Sequence, residues 1–259
     1  MAIALITGAS SGIGLELARV FAAGGVDVIL SARSEDKLQA LAREVREEYG
    51  VRAEVIVADL SMQGEAKKVY DRVVELGWDV DYLVNNAGFG VYGFYAETDW
   101  TAEADMLQVN IVALTHLTKL FLPGLIDRGR GRILNVASTA AFQPGPRMAV
   151  YFATKAYVLS FSDAIANELK GTGVSVTALC PGATETGFQR AAGATGSRLF
   201  DMRGLPTGAD VAKYGYRAMQ KGKRVAIHGL ISKMLAFTVR LLPRRLVVAT
   251  TRALIARSD

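Results

Sequence analysis

The run Ala2-Ile3-Ala4-Leu5-Ile6-Thr7-Gly8-Ala9-Ser10-Ser11-Gly12-Ile13-Gly14 opens the chain and decides how the rest is read. Ala2 to Ile6 is an unbroken apolar stretch, which suits a strand buried on both faces; a strand with one wet face would alternate. Gly8, Gly12 and Gly14 follow, and then Leu15, Ala18, Phe21 and Ala22 recur at helical spacing. A strand, a glycine-rich turn and a helix N-terminus in that order make an anion site. The unpaired N–H groups of the first helical turn and the helix dipole aim at one point. Glycine lets the backbone come close to a pyrophosphate, and the hydroxyls of Thr7, Ser10 and Ser11 add donors. Such turns also join strands to helices where no nucleotide binds, so the rest of the chain must decide.

The same alternation repeats outward from this run. Apolar strands are expected at Val26 to Ser31, Ala53 to Val57, Tyr82 to Val84, Arg132 to Val136 and Val174 to Leu179, with a seventh at Lys223 to His228. Helical periodicity lies between them, as at Leu38, Leu41, Ala42 and Val45, and at Val69, Val73 and Leu76. A long helix is expected from about Thr101 to Leu122, stopping around Pro123-Gly124 because proline cannot donate its N–H. Residues Gly187 to Pro206 read as an irregular segment, of a length that often forms a lid. Strand and helix alternating six times argue for a doubly wound, mostly parallel sheet, in which ligands sit outside the strand C-termini.

Several unusual residues fall at those strand ends. Ala32-Arg33-Ser34 follows the second strand with no acid before Glu35, where an acid would favour NAD and a base the 2′-phosphate of NADP. The guanidinium can grip such a phosphate in two places. Asp59-Leu60-Ser61 follows the third strand, and Asn85-Asn86-Ala87-Gly88 the fourth. Ser138 follows the fifth, and Pro181-Gly182-Ala183-Thr184-Glu185-Thr186 comes after the sixth. Tyr151 and Lys155 stand one turn apart on a helix, so a phenol lies beside an ammonium group. A neighbouring positive charge would lower the phenol pKa from its usual value near ~10. Alone, that pair suits any solvated helix. Asn110 sits mid-helix, a poor place for Asn unless its amide or a displaced carbonyl has other work.

These motifs together, in order and at ordinary spacing, resemble the short-chain dehydrogenase/reductase family over about residues 1 to 228. The family's cofactor motif is Thr-Gly-x-x-x-Gly-x-Gly, present here as Thr7 to Gly14, and the Asn-Asn-Ala-Gly tetrad is specific to it. The resemblance implies a Rossmann-type, seven-stranded sheet flanked by helices. It implies catalytic roles for Asn110, Ser138, Tyr151 and Lys155. Tyr151 would move a proton to or from the substrate oxygen and Ser138 would orient that oxygen. Lys155 would lower the Tyr151 pKa and hold the ribose, and Asn110 would lead to solvent through water. The cofactor set would be Gly8, Ser10, Ser11, Gly12, Ile13, Gly14, Arg33, Asp59, Leu60, Asn86, Ala87, Gly88, Tyr151, Lys155, Pro181, Gly182 and Thr186. The expected cofactor is NADP(H) in preference to NAD(H). The expected activity is hydride transfer to a carbonyl or from a secondary alcohol; the competing reading is a non-catalytic NADPH-binding sensor or scaffold.

Phe89, Tyr92, Phe94 and Tyr95, with Phe142, Phe188, Leu199, Phe200 and Met202, suggest an apolar pocket for a hydrophobic ketone, aldehyde or acyl group, or else fold packing. The chain carries a net charge of +5, yet Lys221 to Asp259 alone carries +8. Two tail helices are expected there, about Leu230 to Leu241 and Leu246 to Ile255, broken by Pro243. Residues 229–259 then form a basic amphipathic extension beside a single catalytic domain of residues 1–228. Arg240, Arg244, Arg245, Arg252 and Arg257 interleave with apolar residues there. Such helices can cover the pocket, pack between subunits or lie on an anionic membrane. A lid or the interface of a homodimer or homotetramer is preferred, with peripheral membrane contact behind them. No nucleic-acid module is present. His116 and His228 have no visible metal partners. The single Cys180 and the absence of a basic N-terminal leader fit a cytoplasmic protein.

Overall fold

The computed structural model describes residues 1–199 and 204–256. Seven strands form one parallel sheet in the order β3-β2-β1-β4-β5-β6-β7. They are β1 (Ile3–Thr7), β2 (Asp27–Ala32), β3 (Ala53–Val57), β4 (Tyr82–Asn85), β5 (Gly131–Val136), β6 (Val174–Cys180) and β7 (Val225–Ile227). Leu5 of β1 pairs with Ile29 of β2 on one side and with Leu83 of β4 on the other. Side chains alternate across the pleat: Ala4 and Ile6 enter one core, Ile3 and Leu5 the other. Both cores are apolar, which is why β1 reads as a continuous hydrophobic run.

On one face lie α1 (Gly12–Ala23), α2 (Glu35–Tyr49) and α8 (Gly208–Gln220), which contribute Leu17, Phe21, Leu38, Val211 and Met219. On the other lie α3 (Glu65–Glu75), α5 (Leu114–Asp127) and α6 (Ala149–Glu168), with Val69, Leu117, Phe121 and Ile165. Phe21 and Leu17 are fully buried, each contributing about 1.5–3 kcal/mol.

The long helix differs from the expectation in two ways. α4 (Trp100–Leu107) passes into a π-helical turn at Gln108–Ala113 before α5 begins, and α5 continues through Pro123 to Asp127. Leu125, beyond the proline, is fully buried and packs against the start of β5, and this burial offsets the lost hydrogen bond. Gly129, in the left-handed region at φ 62°, ends the turn that follows. Trp100–Asp127 is long and apolar enough to cross a membrane, but Leu114, Leu117 and Phe121 bury it against the sheet.

β7 is shorter than expected, and residues 187–206 include a short helix, α7 (Phe188–Ala191). The tail forms α9 (Leu230–Thr238) and α10 (Arg244–Ile255), with Pro243 as the N-cap of α10. It is tied back: Ser197 Oγ donates to Ile255 O at 2.9 Å, and Leu199 N to Leu254 O at 3.0 Å.

Candidate active site

A cleft of about 890 Å³ crosses the C-terminal edge of the sheet. It spans the point between β1 and β4 where the strand order reverses, the usual ligand crevice of such folds. Gly8, Ser10, Ser11, Gly12, Ile13, Arg33, Asp59, Leu60, Asn86, Ala87, Gly88, Ser138, Tyr151, Lys155, Pro181, Gly182 and Thr186 all line it. Gly14 and Asn110 do not; they lie behind the wall and hold it.

Gly8 and Gly12 adopt left-handed backbone, at φ 66° and 57°. The turn is clamped from β4. Asn86 Nδ2 donates to Thr7 O at 2.9 Å, and Thr7 Oγ1 accepts the N–H groups of Asn86 and Ala87, both at 3.0 Å. A Cβ at Gly8 would stand 2.8 Å from Asn86 Nδ2, and one at Gly14 would collide with both Asn86 Nδ2 and the Gly8 carbonyl. Gly14 therefore serves the packing of α1 against this clamp. Gly14→Ala is expected to lower unfolding free energy by about 1–3 kcal/mol in urea titration, because backbone must move.

Ser11 caps α1 with extended backbone but makes no side-chain cap bond, so the first N–H groups of that helix remain for a ligand. The Arg33 side chain is 74% exposed and only 4.0 Å from Asp59 Oδ2. Asp59 Oδ1 accepts from Ser61 N at 3.1 Å and from its hydroxyl at 2.8 Å. Lys37, in the first turn of α2, also lines this end. A cation opposing a helix N-terminus gains from an anion brought beside it. Left-handed glycines, uncapped helix N–H groups and two cations together fit the phosphates of a dinucleotide.

The π-turn explains Asn110. Its Oδ1 accepts from Phe89 N at 3.2 Å, while Nδ2 donates to Phe89 O at 3.0 Å and to Thr154 Oγ1 at 3.0 Å. Thr154 donates onward to Tyr151 O at 2.7 Å. Asn110 thus joins the loop after β4 to the helix that carries the Tyr-Lys pair. A Cβ at Gly88 would lie 2.9 Å from Asn110 Oδ1 and 3.3 Å from Lys155 Nζ, so this position has room only for glycine.

Tyr151 and Lys155 are both buried on α6. Ser138 caps a 3-10 turn at Thr139–Phe142; its Oγ accepts from Ala140 N at 3.1 Å and donates to Pro181 O at 3.4 Å. Burial pushes the Tyr151 phenol up to about 12, against a lowering hydrogen bond from Ser138. Lys155 is pushed down to about 8, again chiefly by burial. The expected lowering of Tyr151 by Lys155 is therefore absent. The ammonium donates to Val136 O at 2.9 Å and stands 5.7 Å from the phenol ring centroid. The phenol is neutral at physiological pH, as a proton donor must be. Burial also pushes the neighbouring Cys180 thiol up to about 12, so it is neutral too.

The pocket beside Tyr151 differs from the aromatic set read from sequence. Phe89, Phe188 and Leu199 line the cleft, but Phe94 and Tyr95 are exposed and Phe142 packs behind against Ala137 and Cys180. Tyr92 donates instead to Ile255 O at 3.2 Å, and Arg147 Nη1 donates to it at 3.0 Å. Phe200 and Met202, like Arg257 of the tail, lie outside the described residues. In place of these, Met148, Phe152, Ile231, Leu235, Leu254 and Ile255 supply apolar lining. Sequence reasoning also passed over Thr154 and Lys37, and it gave His228 no role. His228 lines the cleft and packs edge-on to Tyr214 at 5.2 Å. The signal available for Lys37 was a cation in a helix's first turn, a place that favours acids. No group of metal-ligating side chains occurs among the described residues.

Residues 2–196 match the short chain dehydrogenase family. A very-long-chain 3-oxoacyl-CoA reductase of Anas platyrhynchos is 39% identical over 186 residues, covering 69% of this chain and 58% of that protein. The chain thus spans little more than half of this relative. A 7beta-hydroxysteroid dehydrogenase of Collinsella aerofaciens is 33% identical over 209 residues, covering 81% of this chain and 75% of that one. A short-chain dehydrogenase from Sphingobium yanoikuyae, solved in complex with NADPH, superposes with a TM-score of 0.84 at 31% identity, covering 93% of this chain and 94% of that one. The chain belongs to the short-chain dehydrogenase/reductase family, oxidoreductases that act on CH–OH and C=O groups.

Proposed function

We propose that this chain is an NADP(H)-dependent carbonyl reductase for a bulky apolar ketone, aldehyde or acyl substrate. The observation that carries the reading is the buried Tyr151 on the cleft wall, one helical turn from Lys155 and beside Ser138. The turn Gly8 to Gly14 would hold the pyrophosphate, and Arg33 with Lys37 the 2′-phosphate. The hydride for the carbonyl carbon would come from NADPH held there. Ser138 Oγ orients the carbonyl oxygen, and Tyr151 gives that oxygen its proton. Lys155, fixed by Val136 O, would hold ribose hydroxyls and restore the Tyr151 proton. Asn110 keeps α6 in register with the loop at Phe89. Residues 1–228 carry these groups, and 229–256 close one side of the pocket.

Met148, Phe152, Phe188, Ile231, Leu235 and Leu254 favour an apolar substrate, consistent with the hydroxysteroid and 3-oxoacyl-CoA names of the relatives. A panel of hydrophobic ketones, aldehydes and acyl thioesters, followed by NADPH absorbance, tests the activity. Turnover of none of them would overturn it. Arg33→Ala is expected to weaken NADPH about tenfold or more and NADH far less, since a charge-assisted contact is worth about 1.5–3 kcal/mol. Equal weakening in fluorescence titrations would remove Arg33 from the phosphate site.

A further inference from the structure

The tail exposes an apolar stripe of which only Leu230 also lines the cleft. Leu230, Met234, Phe237 and Leu241 fall at helical spacing along α9 and its continuation, and they are 73%, 61%, 61% and 70% exposed. One helix face is therefore apolar and uncovered, which ordinary monomer surfaces avoid. Lys233 and Arg240 flank that stripe, and Arg244 and Arg245 open α10 just beyond it. All four are exposed, and among the described residues none forms an ion pair. Residues 229–256 contain no Asp or Glu.

We infer that α9 and the start of α10 dock on an anionic lipid surface. The apolar stripe enters the acyl boundary while Lys233, Arg240, Arg244 and Arg245 meet the headgroups. A second copy of the chain is the poorer occupant. A twofold contact through this segment would bring only cations together, with no carboxylate of its own to pair them. The sequence alone ranked a lid or a subunit interface first. The structure gives the tail a lid's contacts on one side and leaves the basic, apolar side bare.

Ile231 and Leu235 are exposed and also line the cleft, so docking turns its mouth toward the bilayer. An apolar carbonyl compound dissolved in lipid would then enter without crossing water. That last consequence rests on the carbonyl-reductase reading; lipid binding does not, and the two are measured separately.

The test is co-sedimentation of the full chain with phosphatidylcholine vesicles, with and without phosphatidylserine. The chain should sediment with the anionic vesicles and be released by salt. Arg240→Gln, Arg244→Gln and Arg245→Gln should each lower partitioning about fivefold. The triple variant Met234→Ser, Phe237→Ser, Leu241→Ser, which leaves the cleft lining intact, should lose sedimentation while keeping its solution mass and its NADPH affinity. No binding to anionic vesicles overturns the inference, as does binding that the triple variant retains. A drop in solution mass for the triple variant assigns the face to a second copy instead.

Discussion

Tyr151→Phe loses turnover of every accepted carbonyl by about 10²–10⁴-fold in kcat, while NADPH affinity stays nearly unchanged. The substitution removes one hydroxyl and keeps the ring, which packs against Phe152 and Phe188 at centroid distances of 6.0 and 5.2 Å. Ser138 keeps its bonds to Ala140 and Pro181, so no buried donor is stranded. The fold is held and only the proton route is cut. Stopped absorbance traces alongside an unchanged melting temperature would show this; a variant that still turns over would remove Tyr151 as the donor.

Lys155→Met cuts turnover by on the order of 10²-fold and also makes the protein more stable at neutral pH. Lys155 titrates at about 8 in the fold against a usual 10.5, because burial disfavours its charge. Between those values the unfolded chain binds more protons than the folded one, so parent stability rises with pH there. Below about 8 both states carry the charge and the burial penalty is complete. The Met variant never bears that penalty. Its advantage is therefore largest at neutral pH and shrinks through the window from about 8 to 10.5, by on the order of 3 kcal/mol. Chemical denaturation across that range checks the sign; an advantage that grows with pH would refute it.

What the sequence disclosed was local. A buried strand, a glycine turn and a helix start are set by neighbouring residues, so β1 to β6 and the strand-end motifs lie where the periodicity places them. The Tyr-Lys pair needs only one turn of helix. What stayed hidden depends on contacts far apart in the chain. Tyr92 looked like a pocket aromatic, but its hydroxyl finds Ile255, 163 residues away. Pro123 looked like a stop until Leu125 found its buried place beside β5. The lowered Tyr151 pKa failed for a related reason. Spacing shows that Lys155 is near, but not that Val136 O holds the ammonium or that both groups are dry.

The π-turn at Gln108–Ala113 behaves as one extra residue threaded into a helix. Each residue of an α-helix turns the chain by about 100°. Deleting a single residue from this turn would therefore restore ideal winding and leave the helix after it facing much as it does now. Leu114, Leu117, Phe121 and Leu125 would keep their places in the core, and the loss would fall on Asn110, whose bonds to Phe89 and Thr154 start from within the turn. In a library of single-residue deletions, then, these six positions should keep the fold and lose turnover, whereas a deletion within α5 should turn its apolar face off the sheet and lose both.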